Sequence, residues 1–530
     1  MLERAQLASG VTPAERAGGR LYSPGGVIIA VALYSAIHVA ARLLASSNLG
    51  EDDPLDAILT QTLSLGYLPE QPPLYDWALW LLARVTGPGA VHFQLLKYSL
   101  LTATCGFIFL SARRVMKGDA FWAFLSVEAL ALIYQISWRF HEGFTHAVGA
   151  MCAVAATFWL LLRLVDRRRL ADFGLFGLAV GLGVLTVTTF WAYLAALLGA
   201  AMLQPSMRRA LAQPGLALAA VIAALIAAPH FVWLANTPEG IGAILPAVRS
   251  NDAAEHLHLA LSGIRRAFTE PVMYLAPLIF LYPLFFPGMI RAVRLQAQVR
   301  PNAGSEPDFE QLILHQTLIS VALLIGAAVI FGIDRYPTHA LMPLFLVTSI
   351  WLTAQARNSM PNARFVRRFV IMAASVAAFA FFARAANMYV LQPVCNICRW
   401  GIPYAELAAE MKAQGFETGR LIVSDKELGG NLRRFFPQAS IALVGGWAYT
   451  PPASLTPQTA KVRDALVWDA DHDQDRVAAA FKTLLPALTP ADLAHAATIR
   501  IPWKGTLWVP YGKPVSTWRL LLLGREDPIR

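Results

Sequence analysis

Acidic side chains crowd one stretch of an otherwise apolar chain. Glu51, Asp52, Asp53, Asp56, Glu70 and Asp76 all fall between residues 46 and 90, against Arg84 as the only basic residue there. Asp52 and Asp53 follow directly on an apolar run and open a helical stretch, Leu55 to Leu65, that is too polar to cross a bilayer and suited to lie along its surface. A carboxylate at that depth, close to lipid yet within reach of water, has the chemistry to deprotonate an acceptor hydroxyl for substitution at a lipid-linked donor. The same two residues could instead cap the helix, because the orphan N–H groups and the dipole at a helix start favour acids.

The elements that would position such a carboxylate are written in the composition. The 530 residues are 56% hydrophobic and only 15% charged, against roughly 25% charged in soluble domains. This excludes disorder and, with four cysteines, a disulfide-dense secreted scaffold. The formal charge of +10 does not point to nucleic acid, because the basic residues form no single patch. They sit in short clusters between apolar runs, such as Arg113, Arg114 and Lys117, or Arg364, Arg367 and Arg368, as expected of cytoplasmic loops under the positive-inside rule.

About eleven membrane spans are expected, near residues 25–45, 91–112, 120–137, 146–164, 173–188, 189–204, 215–235, 271–290, 312–332, 338–355 and 366–390. With a cytoplasmic N-terminus, strict alternation puts each basic cluster inside and places residues 46–90, 236–270 and everything after 390 outside. The fold class is thus a multi-pass α-helical membrane protein. Residues 1–390 form the transmembrane domain, with interfacial helices in its first outer loop, and residues 391–530 form a periplasmic α/β domain. In that tail, strands are expected at 420–424, 441–444, 497–502, 506–510 and 516–523, and helices at 425–435 and 475–485.

The string Glu51-Asp52-Asp53, then Ser64-Leu65-Gly66-Tyr67, then Glu70-Gln71-Pro72-Pro73-Leu74-Tyr75 resembles the first outer loop of family 39 glycosyltransferases of the GT-C class. That group includes protein O-mannosyltransferases and lipid A aminoarabinose transferases. The resemblance implies that Asp52 is the catalytic aspartate, Asp53 its neighbouring acid, and Glu70 an acid that binds substrate or a possible divalent metal ion, with Tyr67 closing the helix. Pro229 to Trp233 is similar to a family segment at the end of a span. Arg335-Tyr336 with His339 looks like the basic-aromatic entrance that meets the lipid phosphate, since guanidinium pairs with phosphate oxygens in a bidentate way. The chain departs from the family at His146, where a second aspartate is usual, and at Gln71, where lipid A transferases carry lysine. Donor phosphate binding would then rely on Arg335, Lys97 or Arg139.

His256 and His258 lie in the outer segment 236–270, and one of them could join Glu70 around a divalent ion. Two histidines at this spacing point to different helix faces, so a site shared by both is not implied. Cys395 and Cys398 read as a local disulfide in an oxidising compartment, while Cys105 and Cys152 lie in spans and pack. The reading is an enzyme of the bacterial inner membrane that moves a sugar from a polyprenyl-phosphate donor to a periplasmic acceptor, with inversion. The acceptor would be lipopolysaccharide core, lipid A, another glycan or a protein, and Arg139, Arg265 and Arg266 would suit a uronic acid donor. A transporter or flippase of a lipid-linked substrate is the alternative class, and it predicts broken apolar segments in two related halves.

Overall fold

A computed structural model describes residues 19–523 except 20, 239, 245–246, 300–305, 391–398, 446, 453–454, 456–462, 471–473, 487 and 504–514. The expected strand at 506–510 and the Cys395–Cys398 pair lie outside the described residues. Six helices are long and apolar enough to cross a bilayer: Pro24–Ala45, Ala90–Val115, His146–Arg167, Gly215–Ala235, Phe309–Phe331 and Ala363–Tyr389. Four further helix pairs bend by 53° to 117° at a short break, giving up to ten spans if each pair is one. The Leu170–Val184 helix is apolar but short, with 15 residues or roughly 22 Å at 1.5 Å per residue, less than the hydrocarbon thickness.

One expected loop proves to be mostly helix. Within 236–270, Asp252 caps a helix running from Ala253 to Tyr274, accepting the Glu255 N–H at 2.8 Å, and the helix packs along Phe309–Phe331. Its mixed polarity hid it from a search for apolar runs.

The tail carries a five-stranded sheet: β1 (Arg420–Val423), β2 (Ser440–Leu443), β3 (Asp464–Asp469), β4 (Ala497–Pro502) and β5 (Val515–Leu523), in the order β2-β1-β3-β5-β4. The first three are parallel, and β5 runs antiparallel to both of its neighbours, β3 and β4. Period-2 alternation divides β1 between two cores. Leu421 and Val423 meet the Tyr404–Ala413 and Lys426–Leu432 helices, while Ile422 meets Val477 and Phe481 on the opposite face. Asp425 caps the Lys426–Leu432 helix as expected, accepting the Leu428 N–H at 2.8 Å. The central strand β3 was not foreseen, because its apolar core is only Ala465 to Trp468.

This domain is built onto the first outer loop. Ile58 belongs to the same apolar core as Leu421 and Leu428. The Gln61 side-chain amide donates to the Ile441 carbonyl at 2.9 Å and accepts its N–H at 2.7 Å, which covers the open edge of β2. Asn48 donates to the carbonyls of Arg399, Trp400 and Ile402, and Asn431 accepts the Leu49 N–H at 2.7 Å. At Gly430 a Cβ would collide with the backbone of Pro54, so the two helices touch backbone to backbone.

Candidate active site

The Asp53–Leu59 helix follows the first apolar helix after a seven-residue link, residues 46–52, with Pro54 in its first turn, where the missing N–H costs nothing. Asp52 takes the N-cap position, yet its side chain makes no cap hydrogen bond. This separates Asp52 from Asp252, Asp308 and Asp425, whose carboxylates all accept a helix N–H. Asp52 also keeps solvent access. Its surroundings push the carboxyl upward from its ordinary value, chiefly through desolvation and then the Asp56 charge, with Lys426 opposing.

Glu51, just before it, holds a left-handed backbone (φ 58°) and is pinned from the tail: Lys426 donates to its carbonyl at 3.0 Å and Arg399 pairs with its carboxylate at 3.1 Å. A non-glycine residue at positive φ is strained, and here the strain is held next to the candidate base.

Behind Asp52 the acids turn inward. Asp53, 2% exposed, faces Lys97 of the Ala90–Val115 helix at 3.6 Å, and burial pushes its carboxyl up to about 7 against the pull of that lysine. One turn on, Asp56 meets His146 at 3.7 Å, and Asp76 from the Leu74–Thr86 helix meets the same ring at 3.6 Å. Burial holds Asp76 up at about 8. Several atoms of this group have no hydrogen-bond partner: Asp53 Oδ1, Asp56 Oδ2, Asp76 Oδ1, Lys97 Nζ, the Tyr75 hydroxyl and both nitrogens of His146. Unmade hydrogen bonds at buried polar atoms are costly and mark places where a water, an ion or a substrate group belongs.

Among the described residues, a metal-capable set other than the expected one stands out. The cluster with ligand atoms close enough to share an ion, all within 4.8 Å of one another, is Asp56, Asp76 and His146. Two carboxylates and an imidazole suit a divalent cation, and the unpartnered oxygens and nitrogens fit one. Glu70 is exposed at the Leu68–Gln71 turn instead. His256 Nε2 bonds the Val329 carbonyl at 2.9 Å, and His258 is exposed on the same helix. None of these three belongs to that cluster. The carboxylate partners of His146 are Asp56 and Asp76, four and 24 residues beyond Asp52 in the sequence, which composition could not distinguish from the other loop acids.

The other expected residues are placed as follows. Tyr67 is fully buried, donating to the Thr62 carbonyl at 2.7 Å and accepting the Ser64 N–H at 3.2 Å, so its hydroxyl shapes the loop. Gly66 and Trp233, from two separate motifs, come together: a Cβ at Gly66 would collide with the Trp233 ring, on which His230 stacks at 5.7 Å. Arg139 pairs with Glu142 at 2.7 Å, and Arg335, largely exposed, lies 3.4 Å from Asp334. Tyr336 is buried and donates to the Leu324 carbonyl at 2.6 Å, while His339 is exposed. An apolar cavity of about 320 Å³ runs from Leu74 and Tyr75 between the spans to Phe107 and Leu160, and the Tyr75 ring lies 5.6 Å from that of His146.

A multi-pass helical body closed by a small mixed domain is a fold that this chain shares with solved ArnT structures. Residues 70–233 match the family described as dolichyl-phosphate-mannose-protein mannosyltransferase. Among curated relatives, the lipopolysaccharide core galacturonosyltransferase RgtB of Rhizobium johnstonii is 23% identical over 413 residues, covering 78% of this chain and 81% of its own. RgtA of the same organism, also a lipopolysaccharide core galacturonosyltransferase, is 24% identical over 502 residues, covering 93% and 95%. Among solved structures, ArnT from Cupriavidus metallidurans bound to undecaprenyl phosphate superposes with a TM-score of 0.51 at 15% identity, covering 92% of this chain and 97% of that one. Its apo form gives 0.53 at 14% identity with the same coverage.

Proposed function

We propose that this protein transfers a hexuronic acid, of the galacturonosyl type named for its relatives, from a polyprenyl-phosphate donor to the lipopolysaccharide core at the periplasmic face of a bacterial inner membrane. The observation that carries this is Asp52: a carboxylate at a helix start that caps nothing, open to water, and backed by a cluster of buried acids.

Asp52 takes the proton from an acceptor hydroxyl as that oxygen attacks the anomeric carbon. The bond to the phosphate oxygen breaks on the opposite side, its electron pair leaves with the lipid phosphate, and the anomeric centre inverts. Phosphate is already a good leaving group, so one enzymatic base suffices. Desolvation and Asp56 raise the basicity of Asp52, which favours proton abstraction near neutral pH. The cavity beginning at Tyr75 suits the isoprenoid tail. Arg335 and Arg139, both reachable from solvent, are the cations for the donor phosphate, because Lys97 is fully buried beside Asp53. A divalent ion held by Asp56, Asp76 and His146 would supply positive charge behind the base; the proton transfer itself belongs to Asp52.

The test is transfer from polyprenyl-phosphate galacturonic acid to core lipopolysaccharide by purified protein, with Asp52→Asn beside wild type. Loss of a general base predicts a fall of about 10²–10⁴-fold. Transport or scaffolding would survive this isosteric loss of charge, so an unchanged rate would sink the assignment.

A further inference from the structure

The seam between the outer loop and the tail domain encloses a second, polar cavity of about 430 Å³, distinct in lining from the apolar one at Tyr75. Arg84 and Trp80 enter it from the Leu74–Thr86 helix, His92 from the start of the Ala90–Val115 helix, and Arg433 and Arg434 from the tail. Among the described residues, no carboxylate lines it. The backbone carbonyls of Phe436 and Pro437 hold Arg433, at 3.3 and 2.6 Å, and the Ser47 carbonyl and the Asn48 side chain hold Arg434. Arg84 lies over the Trp80 ring at 4.5 Å. These partners fix the guanidinium groups in place without neutralising them. Glu406 acts on Arg434 from outside the lining, and Arg84 and Arg433 repel one another.

Donors in the cavity are also left over. Trp80 Nε1 and Arg434 Nε are buried with no hydrogen-bond partner. Three cations and spare N–H groups converging on a space of this size describe a receptor for an oxyanion on a sugar-sized group. The exposed Leu63, Leu81 and Val85 on the same elements put its mouth at the lipid surface.

We propose that this cavity seats an anionic group, phosphate or carboxylate, of the membrane-anchored acceptor, so that the tail domain and the outer loop together select acidic glycolipids. As an acceptor subsite it rests on the transferase reading above; as an anion site it does not. Gln61, Gly430 and Pro437 join the same lining, so docking of the tail onto the loop is what completes it.

The probe is inorganic phosphate, titrated against the full-length protein in phosphatidylcholine nanodiscs at constant ionic strength with chloride as the balancing anion. Phosphate is expected to raise Tm of the wild type saturably, and Arg84→Gln and Arg433→Lys are expected to weaken that response at least tenfold. Arg84 is exposed and Arg433 buried, so the Arg84 variant tests binding with the fold left intact. In the transfer assay, Arg84→Gln should raise KM for lipopolysaccharide about tenfold or more, with the change falling on acceptor KM rather than on kcat or donor KM. The gap should close with phosphatase-treated, carboxyl-reduced lipopolysaccharide. A phosphate response untouched by either variant overturns the site, and an equal KM change with the neutralised acceptor overturns its acceptor role. So does an Arg84→Gln effect seen only when phosphatidylglycerol is added to the disc, which would assign the cavity to bulk lipid. Absence of any turnover in the wild type would count against the transferase reading and leave the phosphate titration to decide the site.

Discussion

Two polar clusters are buried in this molecule, and they are finished differently. Between the spans, the rings of His38 and His141 stack at 4.1 Å, and Arg384 donates to His38 Nδ1 at 3.1 Å and to the His141 carbonyl at 2.9 Å. The hydroxyls of Tyr98 and Tyr34 complete the His141 ring at 2.6 and 3.0 Å, leaving His38 Nε2 as the one ring nitrogen without a partner. At the outer loop, the acids Asp53, Asp56 and Asp76 meet Lys97 and His146 at 3.6 to 3.7 Å, too far for good hydrogen bonds, and each of the five residues keeps at least one unpartnered atom. A satisfied network ties helices together. An unsatisfied one at the water interface awaits something else, and carries electrostatic cost until it arrives.

The largest effect is expected where the unfinished cluster depends on a single charge. Lys97→Met leaves Asp53 buried without its nearest cation and should cost about 3–5 kcal/mol of stability, read as a lowered Tm in detergent. Adding Asp53→Asn should restore most of that stability. If Lys97→Met alone is harmless, the pair is not the buried contact described.

Next come paired histidine variants that set the two clusters against each other. His141→Ala removes several hydrogen bonds and should cost about 3 kcal/mol of stability, while the folded fraction retains its turnover. His146→Ala should do the reverse, leaving Tm nearly unchanged and lowering transfer about a hundredfold. Equal behaviour of the two variants would erase the distinction.

A further effect follows from pH. Burial raises the Asp53 carboxyl in the folded state to about 7, above its unfolded value near 4. The folded protein therefore holds a proton that the unfolded chain has released. The stability contribution is present in full below about pH 4 and is lost as pH rises towards 7, at no more than about 1.4 kcal/mol per pH unit. Melting curves across this range should show Tm falling, and Asp53→Asn should flatten the slope. The smallest expected change is Gly66→Ala, which forces Trp233 aside and should cost about 1–3 kcal/mol, visible in Tm before activity.

Much of the architecture was legible because hydrophobic length and turn chemistry are local. The apolar runs, the break in hydropathy after residue 390, the Asp425 cap and strands β1, β2, β4 and β5 could be read by inspection. The helix Ala253–Tyr274 was hidden by its mixed polarity, and β3 by its brevity. In the site, the loop motif singled out Asp52, and the aligned motifs at Gly66 and Trp233 did meet. The set Asp56, Asp76 and His146 was not foreseen, because the two acids look in sequence like any others of the loop and only helix packing turns them onto His146.

The chain alone determined that this is a membrane-embedded helical protein with acids crowded into the segment after its first apolar run, since burying that much apolar surface leaves few other solutions. Tertiary structure alone decided which aspartate stays wet and which three groups converge behind it. It also decided that residues more than 300 positions apart, Arg84 and Arg433, share one cavity. The physical reason is range: helix formation and bilayer insertion respond to neighbours along the chain, whereas desolvation and unpaired charge are set by whatever packs against a side chain from elsewhere.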